Sequence, residues 1–219
     1  MKLAALAPLA IGAAALLVGA QDADDGWSVV QRSKTTQATY TAYEWNTIRD
    51  EEGNPADAWA AEFHSGDLHR LEIAEIRIVA NCRTHQGWLY DVKSGQTQAS
   101  DTIWLTACGI DTTDQIIAVD RLPSISGKKG PLDVVRIKGS DFLRYYAIDR
   151  DGVIVGSNRV APNGSPSPCA QNRAVAILPG LPARDLFTRA SLAKSYVPER
   201  YRQAPKGPPP PGLAGSRCG

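Results

Sequence analysis

Leu71-Glu-Ile-Ala-Glu-Ile-Arg-Ile-Val-Ala-Asn-Cys82 is the stretch on which the fold turns. Within it Ile76, Ile78, Ala80 and Cys82 alternate with Arg77, Val79 and Asn81. That period of two sends successive side chains to opposite faces of a strand and puts Cys82 on the apolar face. Thr84 to Gly87 carries turn chemistry, Trp88-Leu-Tyr-Asp-Val92 returns, and Lys93-Ser-Gly95 closes that strand. Ile103-Trp-Leu-Thr-Ala-Cys108 reads as a third strand, with Trp104, Thr106 and Cys108 on one face. Three successive antiparallel strands would bring Cys82 and Cys108 to the same side, within reach of a disulfide.

Outward from this core, strand signals continue in both directions. Gly26 to Ser33 and Gln37 to Tyr43 are rich in aromatic and β-branched residues around the polar turn Lys34-Thr35-Thr36. Glu51 to Pro55 has loop chemistry, Ala56 to Phe63 reads as a strand around Trp59, and Ser65-Gly66-Asp67 breaks it. Downstream, Gln115 to Val119 continues the apolar pattern and Leu122 to Pro131 reads as a loop carrying Lys128-Lys129. Asp133 to Ile137 and Phe142 to Ile148 are further strands. Asp149-Arg-Asp-Gly152 is a hairpin turn with Gly152 where a positive φ is required, and Val153 to Gly156 returns.

After Val160 the composition shifts. Ala161 to Pro168 reads as a linker, Ala174 to Leu178 as a last strand, and Pro182 to Ser195 as a helix with Leu186, Phe187 and Ala190 on its apolar side. Pro198 to Gly219 is a basic, proline-rich tail, extended at Pro208 to Pro211. The fold expected is mainly β: an antiparallel sheet, sandwich or open barrel-like body of roughly 8 to 10 strands over residues 26–160. Residues 161–219 add the linker, one short helix (182–195) and the tail.

The N-terminus has the grammar of an export signal: Lys2, the apolar run Leu3 to Leu17, and the small residues Val18-Gly19-Ala20 before an acidic stretch. The run falls short of the ~20 residues of a membrane helix. Cleavage after Ala20 leaves 199 residues with 23 basic and 23 acidic side chains, and the mean hydropathy of the whole chain is −0.25. A balanced surface charge argues against nucleic acid as partner, because such binding needs a concentrated positive field.

The four cysteines Cys82, Cys108, Cys169 and Cys218 form an even set in an exported chain and read as two disulfides. Of the three connectivities open to four cysteines, nearest-neighbour pairing (Cys82–Cys108 and Cys169–Cys218) is favoured. The alternative use of Cys218 is a link to a second chain, giving a dimer.

Signatures of chemistry are sparse. His64 and His69 flank the Ser-Gly-Asp turn and His85 sits in another turn, without the helical spacing of a zinc site; they read as surface loop histidines, so no metal is expected. No G-x-S-x-G elbow or phosphate-binding glycine loop occurs, and no cofactor is expected. Glu62, Asp67, Glu72, Glu75, Asp91 and Asp101 are carboxylates from which a hydrolase could draw a pair, and sequence cannot rank them.

Five tryptophans stand out. Trp27, Trp88 and Trp104 fall in expected strands as core residues would. Trp45 and Trp59 flank a polar loop, where core filling competes with an exposed platform for sugars or peptides.

The order Trp27-Ser-Val-Val, Trp59 after a polar loop, Cys82 ending a strand, Tyr90 on the return and Trp104 late is loosely similar to surface-adhesin-E-like secreted bacterial domains. Cys108 follows Trp104 more closely than in that pattern, and residues 120–219 fall outside it. The resemblance implies an envelope interaction protein. The residues themselves point the same way: a periplasmic or extracellular, non-enzymatic module binding a protein, peptide or glycan. The alternative is a secreted hydrolase using paired carboxylates or a loop histidine–acid metal site.

Overall fold

The computed structural model describes residues 26–49, 52–54, 56–110, 116–161 and 169–206. The expected leader, most of the 161–168 linker, the proline-rich end of the tail and the Cys169–Cys218 pairing lie outside the described residues.

Among the described residues eleven strands make one antiparallel sheet: β1 (Thr39–Arg49), β2 (Ala58–Ser65), β3 (Leu68–Ile73), β4 (Ile76–Asn81), β5 (Gln86–Asp91), β6 (Thr97–Ser100), β7 (Ile116–Gly127), β8 (Gly130–Gly139), β9 (Leu143–Ile148), β10 (Ile154–Val160) and β11 (Cys169–Pro179). Their spatial order is β6-β5-β4-β3-β2-β1-β11-β10-β9-β8-β7, so two sequential meanders meet at a central β1–β11 seam. The mainly antiparallel β expectation holds. So does the Cys82–Cys108 bridge, whose Cα atoms are 5.6 Å apart. Gly152 takes φ +86° in the β9–β10 turn, as its sequence context required.

Two expected strands are helices on one face of the sheet. Residues Gly26–Lys34 form α1, with Gly26, Val29, Val30 and Ser33 buried. That spacing is helical, and the adjacent valines disguise it. Val29 and Val30 pack on Val135, Ile137, Phe142 and Ile148. A Cβ on Gly26 would come within 2.7 Å of Val119 Cγ1, so only glycine admits α1 this close to β7. Trp27, expected in the core, is 47% exposed on the outer side of that helix. The second helix, α2 (Ile103–Ala107), buries Ile103 and Ala107 against Ile78 and Ala80. Here too the i, i+4 pair governs, and the disulfide forms from the helix end. Trp88 and Trp104 are half-buried.

The 122–131 stretch is also a correction. It forms the ends of β7 and β8, with Gly127 opposite Gly130 and the two lysines at the hairpin tip. Pro123 is tolerated because β7 is an edge strand with a register irregularity between Leu122 and Ile125.

The C-terminal segment covers the opposite face over β1–β4. Leu186 and Val197 pack with Tyr43, Ala61 and Phe63, and Tyr201 stacks on Tyr43 with ring centroids 3.9 Å apart. In place of a continuous helix over 182–195, helical geometry is confined to the 3-10 turns Arg189–Ala193 and Glu199–Tyr201. The cause is Arg70, which is fully buried. It donates to the carbonyls of Leu186 (2.9 Å), Ser191 (3.3 Å) and Lys194 (2.7 Å), to Ser191 Oγ (2.8 Å) and to Glu72 (2.8 Å). Carbonyls that an α-helix would use internally are taken by a strand arginine. Glu72, equally buried, accepts from Ser195 Oγ and the Tyr196 amide.

Candidate functional site

The β2–β3 hairpin builds the site. Its turn is only Gly66-Asp67, with Gly66 at φ +57°, so Ser65 faces Leu68 and His64 faces His69. A separation of five across a two-residue turn makes the histidines direct cross-strand partners on one face. They are therefore strand residues, 6% and 5% exposed, and the expectation of surface loop histidines is overturned. On the other side of β2, Tyr40 of β1 pairs with His64 and Ala42 with Glu62. Tyr40, His64 and His69 thus form a rung across three strands, with Glu62 one step along.

Side-chain contacts knit the rung together. The Tyr40 and His64 rings stack at 5.1 Å, and His64 meets His69 edge-on at 4.9 Å. Tyr40 Oη donates to Glu62 Oε1 at 2.6 Å, and His69 Nε2 lies against the same carboxylate oxygen. His64 Nδ1 is 2.6 Å from the Ala38 carbonyl, which can only accept, so the proton sits on Nδ1. His69 Nδ1 is buried without a hydrogen-bond partner among the described residues.

The electrostatics follow from this packing. Burial pushes the Glu62 carboxyl upward, but His69, the Tyr40 hydrogen bond and His64 outweigh it and hold Glu62 below the usual carboxylate range. Burial, reinforced by His69, lowers His64 below an ordinary histidine despite the Ala38 carbonyl. Burial, then Glu62, raises the Tyr40 hydroxyl far above its ordinary value. One residue pair away, buried Glu44 accepts from Asn172 Nδ2 at 2.5 Å beside the β1–β11 bulge. Burial and the Glu62 charge push Glu44 up to about 8.

This yields a signed pH effect. The folded protein keeps a proton on Glu44 that the unfolded chain releases near the ordinary value of 4.5. Stability from this group is complete below that value and falls as pH rises toward 8. The expected result for Glu44→Gln is a stability gain over the parent that grows across this window, read from urea midpoints at several pH values. A difference that is flat with pH would contradict it.

Above the rung lies a cavity of about 270 Å³. Its walls are the end of α1 with the turn that follows (Ser33–Gln37), the Cys82–Cys108 disulfide with Gly109, and the Gly152 turn. Its floor is Tyr40, Glu62, His64 and His69. Asp67 and Arg83, also lining residues, pair at 2.9 Å.

The other candidate residues lie elsewhere. His85, at φ +57°, is exposed and stacks on Trp104 at 3.8 Å, outside the cavity lining. Glu72 serves Arg70 on the far face, Asp91 accepts the Ser94 amide in a turn, and Glu75 and Asp101 are exposed. Trp45 and Trp59 are cross-strand partners, both half-buried, and the Arg202 guanidinium sits 5.4 Å from the Trp59 ring. They share a face with Tyr43, away from the cavity. Among the described residues no group of three or more His, Cys, Asp or Glu is arranged to hold a metal ion. No helix among them is long and apolar enough to cross a membrane. Sequence reasoning missed Tyr40 and Glu44. The signal was the alternation Tyr40, Ala42, Glu44, which sets an acid in a buried register.

The fold is shared with a solved protein from Thermus thermophilus. That structure, of an uncharacterized conserved protein, is 14% identical and aligns over 83% of this chain and 98% of its own with a TM-score of 0.51. MucB, also 14% identical, aligns over 80% of this chain and 65% of its own with a TM-score of 0.46. A LolA superfamily protein from Nitrosomonas europaea, 10% identical, aligns over 77% and 99% with a TM-score of 0.39. At such identities the likeness concerns architecture alone. No family model matches the chain, and no curated protein matches it. The outline similarity to adhesin-E-like domains thus rests on its own residues, of which the leading Trp27-Ser-Val-Val is helical.

Proposed function

We propose that this chain is an exported, non-enzymatic binding module of the cell envelope, periplasmic in location, whose ligand is a protein, peptide or glycan seated at the cavity. The observation that carries this reading is the cavity itself: a pocket with a buried polar floor, walled by a disulfide. A disulfide persists in an oxidising compartment, which agrees with the leader-like N-terminus. A concave pocket on which a few polar groups converge is the usual form of a ligand seat. The Trp45–Trp59 pair on the opposite face is a second contact surface, suited to a sugar ring or an apolar side chain.

The hydrolase reading draws on Glu44 and Glu62, whose environments push their proton affinities apart, as acid and base partners require. Yet Glu44 does not line the cavity, and Asp67, the second carboxylate that does, is held by Arg83 at 2.9 Å. Two carboxylates must flank one bond, so binding is the better-supported reading.

Mass spectrometry of protein recovered from cells should show a chain beginning at Gln21 with Cys82 and Cys108 linked. An intact Met1 with free thiols would overturn export. Turnover of an envelope substrate that Glu62→Gln abolishes would overturn the non-enzymatic assignment.

A further inference from the structure

We infer that the cavity takes a primary ammonium group, the end of a small amine or the N-terminus of a peptide, with Glu62 as counter-ion and the histidine nitrogens as further acceptors. This rests on the cavity being the ligand seat. Hydrogen-bonding capacity at the floor is only partly used. Glu62 Oε1 meets Tyr40 Oη and His69 Nε2, and no hydrogen bond is made to Oε2 among the described residues. An ionised carboxylate can accept about four hydrogen bonds and donates none. His64 spends its Nδ1 proton on the Ala38 carbonyl, which leaves Nε2 as a lone pair in the neutral ring. His69, 5% exposed, keeps a buried Nδ1 without a hydrogen-bond partner among the described residues although its residue lines the cavity. A buried polar atom left over in this way calls for a partner from outside the chain.

The surplus at the floor is of acceptors. The one hydroxyl there, Tyr40 Oη, is already committed. An ammonium brings three N–H donors, no acceptor and a positive charge, which matches that surplus in number and sign. A carboxylate or phosphate would set acceptors against acceptors and negative charge against Glu62. A single hydroxyl would satisfy one acceptor and leave the carboxylate unneutralised.

The cations lining the cavity are Lys34 at the end of α1 and Arg83 beyond β4, the latter held by Asp67. Neither belongs to the floor rung. The volume, about 270 Å³, is just under the roughly 300 Å³ at which pockets for drug-sized molecules begin, so the occupant is small or a chain end.

The test uses the mature protein, calorimetry and the imidazole resonances of His64 and His69. Ethanolamine represents free amines, Ala-Ala represents peptide N-termini, and N-acetyl-Ala-Ala, acetate and glucose lack the ammonium. The expected result is that ethanolamine, Ala-Ala or both shift the two rings, with N-acetyl-Ala-Ala at least about tenfold weaker, as loss of a charged hydrogen bond implies. Ethanolamine alone would identify a free amine as the source, and Ala-Ala alone a peptide end. Glu62→Gln should weaken the same probes about tenfold, and the acetylated comparison on the parent protein decides the matter if that variant folds poorly. Equal binding of acetylated and free dipeptide would overturn the inference. Glucose or acetate shifting the rings while the amines do not would overturn it and leave the cavity as a ligand seat. No response to any probe would sink both.

Discussion

Replacing Arg70 by Met is expected to destabilise the protein by about 3–5 kcal/mol, the cost of leaving one buried charge without its partner. Arg70 and Glu72 are both fully buried on the far face of β3, and each is hydrogen-bonded beyond the pair. Arg70 gathers backbone carbonyls of the C-terminal segment, while Glu72 accepts from Ser195 and Tyr196. Removing the guanidinium therefore takes from Glu72 its 2.8 Å partner, leaving the Arg77 guanidinium at 3.8 Å, and strips the Lys194 carbonyl of its donor, while the Leu186 and Ser191 carbonyls keep only their bonds from Ser191 Oγ and the Lys194 amide. The segment over β1–β4 should loosen first, so its amides should lose hydrogen-exchange protection before those of β8 and β9. Glu72→Leu should be costly for the mirror-image reason. The double replacement should fall short of the summed single costs by about 0.5–3 kcal/mol, because each single variant already breaks the same Arg70–Glu72 contact. Urea titration of the three variants checks this, and strict additivity would show that the ion pair contributes nothing of its own.

The second large effect is expected at Cys82–Cys108. The bridge closes a 26-residue loop, for which the chain-entropy relation gives about 3–4 kcal/mol. In a domain of this size that corresponds to a fall in Tm of roughly 7–15 °C when both cysteines become alanine. The loop enclosed by the bridge contains β5, β6 and α2, the outer end of one meander. Calorimetry under oxidising and reducing conditions measures it. An unchanged Tm on full reduction would mean that α2 holds this edge without help.

How far the architecture can be read from the chain depends on the period of the apolar residues. Ile76, Ile78, Ala80 and Cys82 fall on one face and reveal both the strand and the face of its cysteine, while Val79 is buried on the other face. Gly26 to Ser33 misleads because Val29-Val30 satisfies a strand pattern locally. The burial of Gly26, Val29, Val30 and Ser33 is set instead by the approach to β7, a tertiary contact no local window contains. Ile103 to Ala107 misleads likewise, since five residues carry too little periodicity to separate the two states. Pro182 to Ser195 has genuine helical spacing, and the carbonyls it needs are taken by Arg70, more than a hundred residues earlier.

At the site, the turn between His64 and His69 is legible in the chain. A two-residue turn with Gly66 makes residues five apart direct partners, so a pair of facing histidines is implicit in that spacing. That Tyr40 and Glu62 complete the cluster depends on the β1–β2 register, which joins them across a loop whose length says nothing about alignment.

The seam between β1 and β11 has a kinetic corollary. Each meander is assembled from neighbours in sequence, so either can zip up quickly on its own. The joint at the middle brings together Tyr43 and Ala176, more than a hundred residues apart, just as the contacts of α1 with β8 and of Arg70 with the C-terminal segment join distant stretches. Ring closure over that distance is slow, and it comes after the local hairpins. Weakening the joint should therefore quicken the opening of the molecule while barely altering how fast its two halves take shape.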